Sequence, residues 1–109
     1  MIRFQTEMKP TDFDWKTGVI TFWELDALVA NRPFPEQAEL LKEDLVQVEF
    51  PKEIVLDIGW YPSFDPDGWF VILVVRRGNW DEPFYRATTT DRRELENLIR
   101  EATLLAAQS

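Results

Sequence analysis

The sequence predicts an α+β fold in which an antiparallel meander of three to four strands packs against helices, including a C-terminal helix. Three strand-like runs separated by turn signals occupy residues 54–89. An alternating apolar and polar run, 45–50, precedes them, and an apolar stripe at helical spacing follows them after residue 91. Neither a repeat nor a flexible linker is visible, which predicts a single α+β domain over residues 1–109.

The N-terminal part predicts a short strand, a loop and a first helix. Residues 2–6 alternate weakly, as a strand does, and residues 11–15 have the character of a loop with two aromatic anchors. Thr21 and Glu24 have the spacing of a capping box, so we expect a helix to begin at Thr21 and to end before Pro33. Its expected apolar stripe comprises Phe22, Leu25, Leu28 and Val29.

Residues 35–44 predict a second, short helix. Proline is well suited to a first helical position, and a glutamate next to it complements the positive end of the helix dipole. Glu36, Glu39 and Glu43 would share one face of this helix. Like charges at that spacing oppose helix stability by a few tenths of a kcal/mol per pair, so a binding role for this face is a reasonable alternative to a solvated surface.

The strands follow in order. Residues 45–50 predict an edge strand that ends at Pro51, and the alternation in 53–61 places Asp57 on the face opposite a row of large apolar residues. Residues 69–75 are apolar on both faces, which predicts the central strand, and 84–89 form the last strand. The turn between the first two strands of the meander is Asp65-Pro66-Asp67-Gly68, in which we expect the glycine to adopt a left-handed conformation.

The C-terminal helix is predicted by its cap and its stripe. Thr90 or Asp91 caps the first turn, and Glu94 has the position that completes a capping box with Asp91. The apolar stripe, which should lie across the sheet, comprises Leu95, Leu98, Ile99, Ala102, Leu105 and Ala106.

Absent residue types limit the chemistry. The chain has no histidine and no cysteine, which excludes imidazole catalysis, thiolate nucleophiles and the usual zinc, copper and haem ligand sets. Residues 63–74 match the first positions of a calcium-binding loop, but Val74 occupies the position that requires a bidentate glutamate. We therefore expect no metal, no cofactor and no catalytic residue. A carboxylate-based hydrolase, in which Asp57 pairs with Glu53, Asp65 or Asp67, stays an alternative.

The negative charge is concentrated in the first two-thirds of the chain. Residues 1–70 contain 14 acidic and 6 basic residues, whereas residues 71–109 contain 6 of each, so this first part carries the whole net charge of −8. Such a field repels nucleic-acid backbone and speeds encounter with a basic partner. We expect a protein partner and no nucleic acid, with an acidic surface that serves only solubility as the alternative.

Acidic residues in the middle of the chain lie near aromatic residues at the margins of the meander, which is the combination typical of a protein-binding surface. The candidate partner-binding residues are Glu36, Glu39, Glu43, Asp44, Asp57, Trp60, Tyr61, Asp65, Asp67 and Trp80.

Residues 55–90 also resemble a family. A strand that ends in residues 57–62, the turn 65–68, an apolar strand and Trp80-Asp81-Glu82-Pro83 resemble small bacterial immunity proteins, of the contact-dependent growth inhibition type or similar. The resemblance implies a non-catalytic protein that binds and neutralises a cognate toxin domain. No apolar run reaches the roughly 18 residues of a membrane span, and the N-terminus does not have the pattern of a signal peptide, so we expect a cytoplasmic location. A general adaptor or regulatory subunit is the competing class.

Overall fold

The protein is built on an antiparallel five-stranded sheet with an α-helix on one face. This architecture is seen in a computed structural model, which describes residues 7–29 and 31–109. The strands and the α-helix are β1 (Val19–Trp23), β2 (Val46–Phe50), β3 (Ile54–Tyr61), β4 (Trp69–Arg76), β5 (Tyr85–Thr89) and α1 (Arg92–Gln108). Short 3-10 helices occupy Pro10–Asp12, Leu25–Ala27 and Phe34–Leu40.

The strands are adjacent in the order of the chain, β1-β2-β3-β4-β5, so the sheet is a meander. The longest ladder joins β3 to β4 over eight residue pairs, from Ile54 opposite Arg76 to Tyr61 opposite Trp69. The predicted α+β class and the C-terminal helix are confirmed. The predicted number of strands is wrong, because the described part of the chain contains five. The strand predicted for residues 2–6 lies outside the described residues.

The extra strand is β1, which forms where a helix was predicted. Its sequence, VITFW, consists of β-branched and aromatic residues that favour a pleated surface. The backbone N–H of Glu24, the expected third helical residue, instead donates to the carbonyl of Leu45 at 2.7 Å. Leu25 and Leu28 are nevertheless both buried, because a 3-10 turn also brings residues three apart to one side.

The second predicted helix is a 3-10 helix, Phe34–Leu40, with a non-helical residue at Gln37. Gln37 is buried, and its side chain donates to the carbonyls of Val29 and Arg32 and accepts from the Val29 N–H, so tertiary hydrogen bonds distort the helix locally. Because the helix ends at Leu40, Glu43 lies beyond it. The prediction that Glu36, Glu39 and Glu43 share a helical face is wrong.

Two predicted strands have different positions in the sheet. Residues 45–50 were expected to form an edge strand, but β2 lies between β1 and β3, since the unpredicted β1 covers its outer side. The apolar run of 69–75 was expected to be central, but the central strand is β3 and β4 is its neighbour. Both faces of β4 are nonetheless largely buried.

The hydrophobic core lies on one face of the sheet, which we call the covered face. Alternate residues of β2, β3 and β4 point into it and are fully or almost fully buried, and α1 packs against β3, β4 and β5 with its predicted stripe. Asp91 caps α1 as predicted, since its carboxylate accepts from the N–H of Glu94 at 2.8 Å. The predicted capping box is not formed, because the N–H of Asp91 donates to the Thr89 hydroxyl at 3.0 Å instead of to Glu94. Beneath β1, an aromatic cluster of Phe13, Trp15 and Trp23 completes the core, with ring centroids 5.5 to 6.1 Å apart.

The turn between β3 and β4 departs from the prediction in one respect. Gly68 does not have a positive φ; the glycine that does is Gly78. Gly68 is instead required by close packing, because a Cβ there would lie 2.5 Å from Nε1 of Trp60. That indole N–H donates to the carbonyl of Asp65 at 2.7 Å, so the turn is tied to the buried Trp60.

On the other face of β3, a backbone segment crosses directly over Gly59. Lys42 accepts from the N–H of Trp60 at 2.8 Å, and Leu45 donates to the carbonyl of Ile58 at 3.0 Å. A Cβ on Gly59 would lie 1.9 Å from the carbonyl oxygen of Glu43. The absence of a side chain at Gly59 therefore lets residues 42–45 lie against β3, next to Asp57.

Gly59→Ala should destabilise the protein by about 2 kcal/mol or more, because the new methyl group would overlap backbone that is hydrogen-bonded on both sides. Gly78→Ala is a matched control: its Cβ would meet nothing within 4 Å, so only the left-handed conformation opposes it, at a cost of about 1 kcal/mol. Urea denaturation of both variants measures the difference. Equal losses of stability would contradict the close approach at Gly59.

Candidate functional site

The face of the sheet opposite α1, which we call the open face, has no helix packed against it among the described elements. Strand register and alternation assign its residues. They are Val19, Phe22, Gln47, Glu49, Val55, Asp57, Gly59, Tyr61, Trp69, Val71, Leu73, Val75, Arg86 and Thr88. More than half of these side chains are apolar or aromatic. Val71 and Val75 are buried by neighbouring segments, whereas Val19, Phe22 and Trp69 are exposed to water.

Large aromatic side chains stand at both ends of this face. Phe22 on β1 is 39% exposed and Trp69 at the start of β4 is 45% exposed. Trp80, in the loop between β4 and β5, is 46% exposed. Single exposed apolar residues are ordinary, but exposed aromatics around one continuous face are characteristic of an interaction surface.

Two cavities on this face are lined by predicted site residues. The first, the Asp57 cavity, has a volume of about 390 Å³ and is lined by Thr21, Phe22, Asp44, Val46, Gln47 and Asp57. The second, the tryptophan cavity, has a volume of about 480 Å³ and is lined by Tyr61, Trp69, Val71, Leu73, Trp80, Asp81, Pro83 and Arg86. Asp57 of the first and Leu73 of the second are directly opposite one another on β3 and β4, so the two cavities adjoin.

Asp57 is the buried charge of the open face. Only 8% of the surface of Asp57 is exposed. Burial is the main cause that raises its pKa from 3.8 to about 6, and the nearby negative charge of Asp44 is the second cause. Within residues 7–29 and 31–109 the carboxylate has neither a hydrogen-bond donor nor an ion-pair partner. Its cross-strand neighbours are Gln47 on β2 and Leu73 on β4. A mostly desolvated carboxylate without a counter-charge is costly to a fold.

The electrostatic field around Asp57 is negative. Burial raises the pKa of the Tyr61 hydroxyl, and Asp57, Glu43 and Asp44 raise it further. Glu43 and Asp44 are there because residues 42–45 cross over Gly59. The crossing segment thus adds two exposed acids beside the buried one.

The structure brings four of the predicted site residues together on or beside the open face: Asp44 and Asp57 in one cavity, Tyr61 and Trp80 in the other. Glu43 lies at the edge of this group, on the segment that crosses β3.

The other predicted residues lie elsewhere. Glu36 and Glu39 are exposed on the 3-10 helix Phe34–Leu40, which is anchored on the covered face by the contact of Phe34 with Phe70, 4.9 Å between centroids. As a correction to the sequence-based set, Trp60 is fully buried in the core and is not available to a partner. In the β3–β4 turn, the Asp65 carboxylate accepts from the backbone N–H of Asp67 at 2.8 Å and so stabilises the turn, whereas the Asp67 side chain is exposed.

Sequence reasoning missed two aromatic members of the site, Phe22 and Trp69. Phe22 was assigned to a helical stripe, so its place on a strand next to Gln47 was not considered. Trp69 was assigned to a strand buried on both faces. The signal that could have found Trp69 is its pairing with Tyr61 at the turn-proximal end of the hairpin, where strands are least covered.

Comparison of the chain with protein-family models, with curated proteins and with solved structures found no match. Among the described residues, no three or more acidic side chains are grouped as a metal ion would require. The helices in that part of the chain are all too short or too polar to cross a bilayer.

The raised pKa of Asp57 makes stability depend on pH. The folded state holds this proton more tightly than the unfolded state, so ionisation destabilises the fold: the penalty is absent below about pH 4, grows between pH 4 and 6, and is constant above. Relative to Asp57→Asn, the wild-type protein should lose roughly 1 to 3 kcal/mol of stability from pH 4 to pH 7.5. Urea denaturation across that range measures the difference, and parallel curves would show that Asp57 is not desolvated.

Proposed function

We propose that this chain is a non-catalytic inhibitor that binds a basic partner protein through its open face, and that its partner is a toxin domain, as for an immunity protein. The observation that carries the proposal is the open face itself, a sheet face without a packed helix that has exposed aromatic residues at its ends and a buried carboxylate at its middle.

The size of the open face supports a protein partner. Three strands of five residues and two of eight, about 4.8 Å apart and rising about 3.3 Å per residue, give a surface of roughly 500 Å² before loops are added. A specific interface of ordinary size covers about 800 Å² on each partner. The sheet and its flanking loops therefore provide the area that one docked domain requires.

The arrangement of aromatic and charged groups supports the same conclusion. Binding energy concentrates in large aromatic anchors that become buried, and a rim of charge determines encounter and orientation. Trp69 and Trp80 line one cavity of this kind. Asp44 and Glu49 are exposed acids of the same surface. Arg86 is the cation among the residues assigned to the face, so acids outnumber bases there.

The excess of acids supports a partner of opposite charge. Domains that cleave nucleic acid need a basic surface around the site that holds the phosphate backbone. An inhibitor of such a domain covers that surface most readily with carboxylates. Together with the resemblance of residues 55–90 to immunity proteins, this favours a nuclease toxin among possible partners.

A carboxylate-based hydrolase is the second candidate, because Asp44 and Asp57 line one cavity and Asp57 has a raised pKa. A carboxyl group with such a pKa suits a general acid. If the chain hydrolyses a substrate by this route, Asp57→Asn should abolish that hydrolysis. Neutralisation of a toxin without turnover distinguishes the first proposal from this one.

Co-expression with the domain encoded immediately upstream of its gene tests the proposal directly. We expect that domain to arrest growth by itself and this chain to restore growth by forming a stable complex. Wild-type chain and domain should co-elute in size-exclusion chromatography. A toxic domain that is neither bound nor neutralised by this chain would contradict the immunity function, and binding without toxicity would favour an adaptor.

Matched charge reversals on the two sides of the sheet locate the interface. Asp44→Lys with Glu49→Lys changes the open face, whereas Glu36→Lys with Glu39→Lys makes the same change of charge on the covered side. The open-face pair should slow association with the toxin domain at least tenfold, since like charges now meet. Association rates by surface plasmon resonance compare the pairs. A larger effect of the covered-side pair would contradict docking on the open face.

A further inference from the structure

We infer that the Asp57 cavity is a receptor for one guanidinium group, presented by an arginine side chain of the partner. The inference rests on the proposed function and deepens it, since it names the chemical group that the centre of the open face recognises. It follows from the position of an unpartnered carboxylate, the shape of the cavity around it and the groups that line that cavity.

The geometry is that of a small binding site. The cavity of about 390 Å³ lies between β1, β2 and β3, and the Asp57 carboxylate lines it while 92% of the residue is shielded from solvent. Ligand cavities in proteins begin at about 300 Å³. The space therefore fits a long side chain better than it fits a single ion.

The lining groups suit a planar cation. Asp57 offers two carboxylate oxygens, which match the parallel N–H groups of a guanidinium. Phe22 contributes an aromatic ring at the cavity wall, against which a guanidinium stacks favourably. The Thr21 hydroxyl donates its proton to the backbone carbonyl of Gln47 at 3.2 Å. Towards a ligand in the cavity, this hydroxyl is therefore an acceptor, which suits a cation. Asp44 adds a second negative charge at the exposed side.

The chain itself supplies no counter-charge to this carboxylate within residues 7–29 and 31–109. Arg86 lies in the same cross-strand row but two strands away, at about 10 Å, and makes no ion pair with Asp57. Lys42 is on the crossing segment but is paired with Glu24 at 3.1 Å. A cation from outside would thus convert a destabilising buried charge into a hydrogen-bonded pair.

A guanidinium fits this environment better than an ammonium group. It is more weakly hydrated and loses less on entering a site that is already desolvated. It also forms two hydrogen bonds to one carboxylate, whereas an ammonium acts as a point charge. The raised pKa of Asp57 is consistent with this account, because the same lack of a counter-charge that favours the proton also favours a cation.

The test uses the intact chain labelled with ¹³C at aspartate carboxyl carbons, and N-acetyl-arginine methylamide as the probe. We expect a saturable shift of the Asp57 signal and a lower apparent pKa of Asp57 in the presence of the probe. The uncharged isostere N-acetyl-citrulline methylamide and the ammonium probe N-acetyl-lysine methylamide should each bind at least fivefold more weakly. Equal responses to the arginine and citrulline probes would overturn the inference, and equal affinity of the lysine probe would overturn its guanidinium assignment.

Two variants complete the experiment. Asp57→Asn keeps the shape of the side chain and should weaken binding of the arginine probe at least tenfold, read from backbone amide shifts of Thr21 and Phe22. Asp67→Asn, in the exposed β3–β4 turn, should bind as the wild type does. Unchanged binding in Asp57→Asn would place the probe elsewhere and overturn the inference.

The test of the guanidinium site and the test of the proposed function can fail independently of each other. A chain that neutralises the toxin domain but does not bind the arginine probe at Asp57 refutes the guanidinium site alone. A chain that binds the probe but neither binds nor neutralises the domain refutes the immunity function alone.

Discussion

One α-helix and a set of short turns have to cover a five-stranded sheet, and the rest of the structure follows from that constraint. A helix about 10 Å wide spans roughly two strand spacings of 4.8 Å, and α1 accordingly packs on three neighbouring strands, β3, β4 and β5. Beneath β1 and β2 the chain uses aromatic side chains instead, Phe13 and Trp15 from its N-terminal loop together with Trp23 at the end of β1. Within the described residues, no helical layer remains for the other face, so the open face is a consequence of how the covered face is completed.

The open face is linked to the fold through Gly59. Its missing side chain allows residues 42–45 to cross β3, and the crossing places Asp44 beside Asp57. Burial of Asp57 is therefore produced by the same local packing that closes this end of the sheet. The arrangement lowers stability at neutral pH, because a carboxylate is desolvated without a counter-ion among the described residues. An apolar residue would fill that position more stably, and the proposed binding role would account for the carboxylate there.

The sequence predicted well the elements whose pattern is local and long. The meander of residues 54–89 and the capped C-terminal helix are present almost as expected, because alternation over eight residues and a six-residue apolar stripe leave few alternatives. The prediction of secondary structure failed at residues 19–23, because five residues are too few to distinguish a strand from a helix. It failed again at residues 34–40, which form a 3-10 helix that is distorted at Gln37. Part of the site could be predicted, because the alternation of residues 53–61 assigned Asp57 to the correct face of the sheet. Its contact with the segment 42–45 depends on a backbone crossing that no local pattern contains.

A sheet face with exposed apolar and aromatic residues, here Val19, Phe22 and Trp69, presents a protein with the problem of unwanted association, since contiguous exposed apolar surface promotes aggregation. A desolvated carboxylate at its centre changes that balance. A partner that covers the face without supplying a cation would bury Asp57 further and raise the energetic cost of its charge, whereas a partner with a correctly placed cation would remove that cost. In the proposed complex, Asp57 would therefore act against most partners and in favour of a few. The exposed aromatic residues would provide affinity and the buried acid selectivity, which is the division of roles that an inhibitor of one particular basic protein requires.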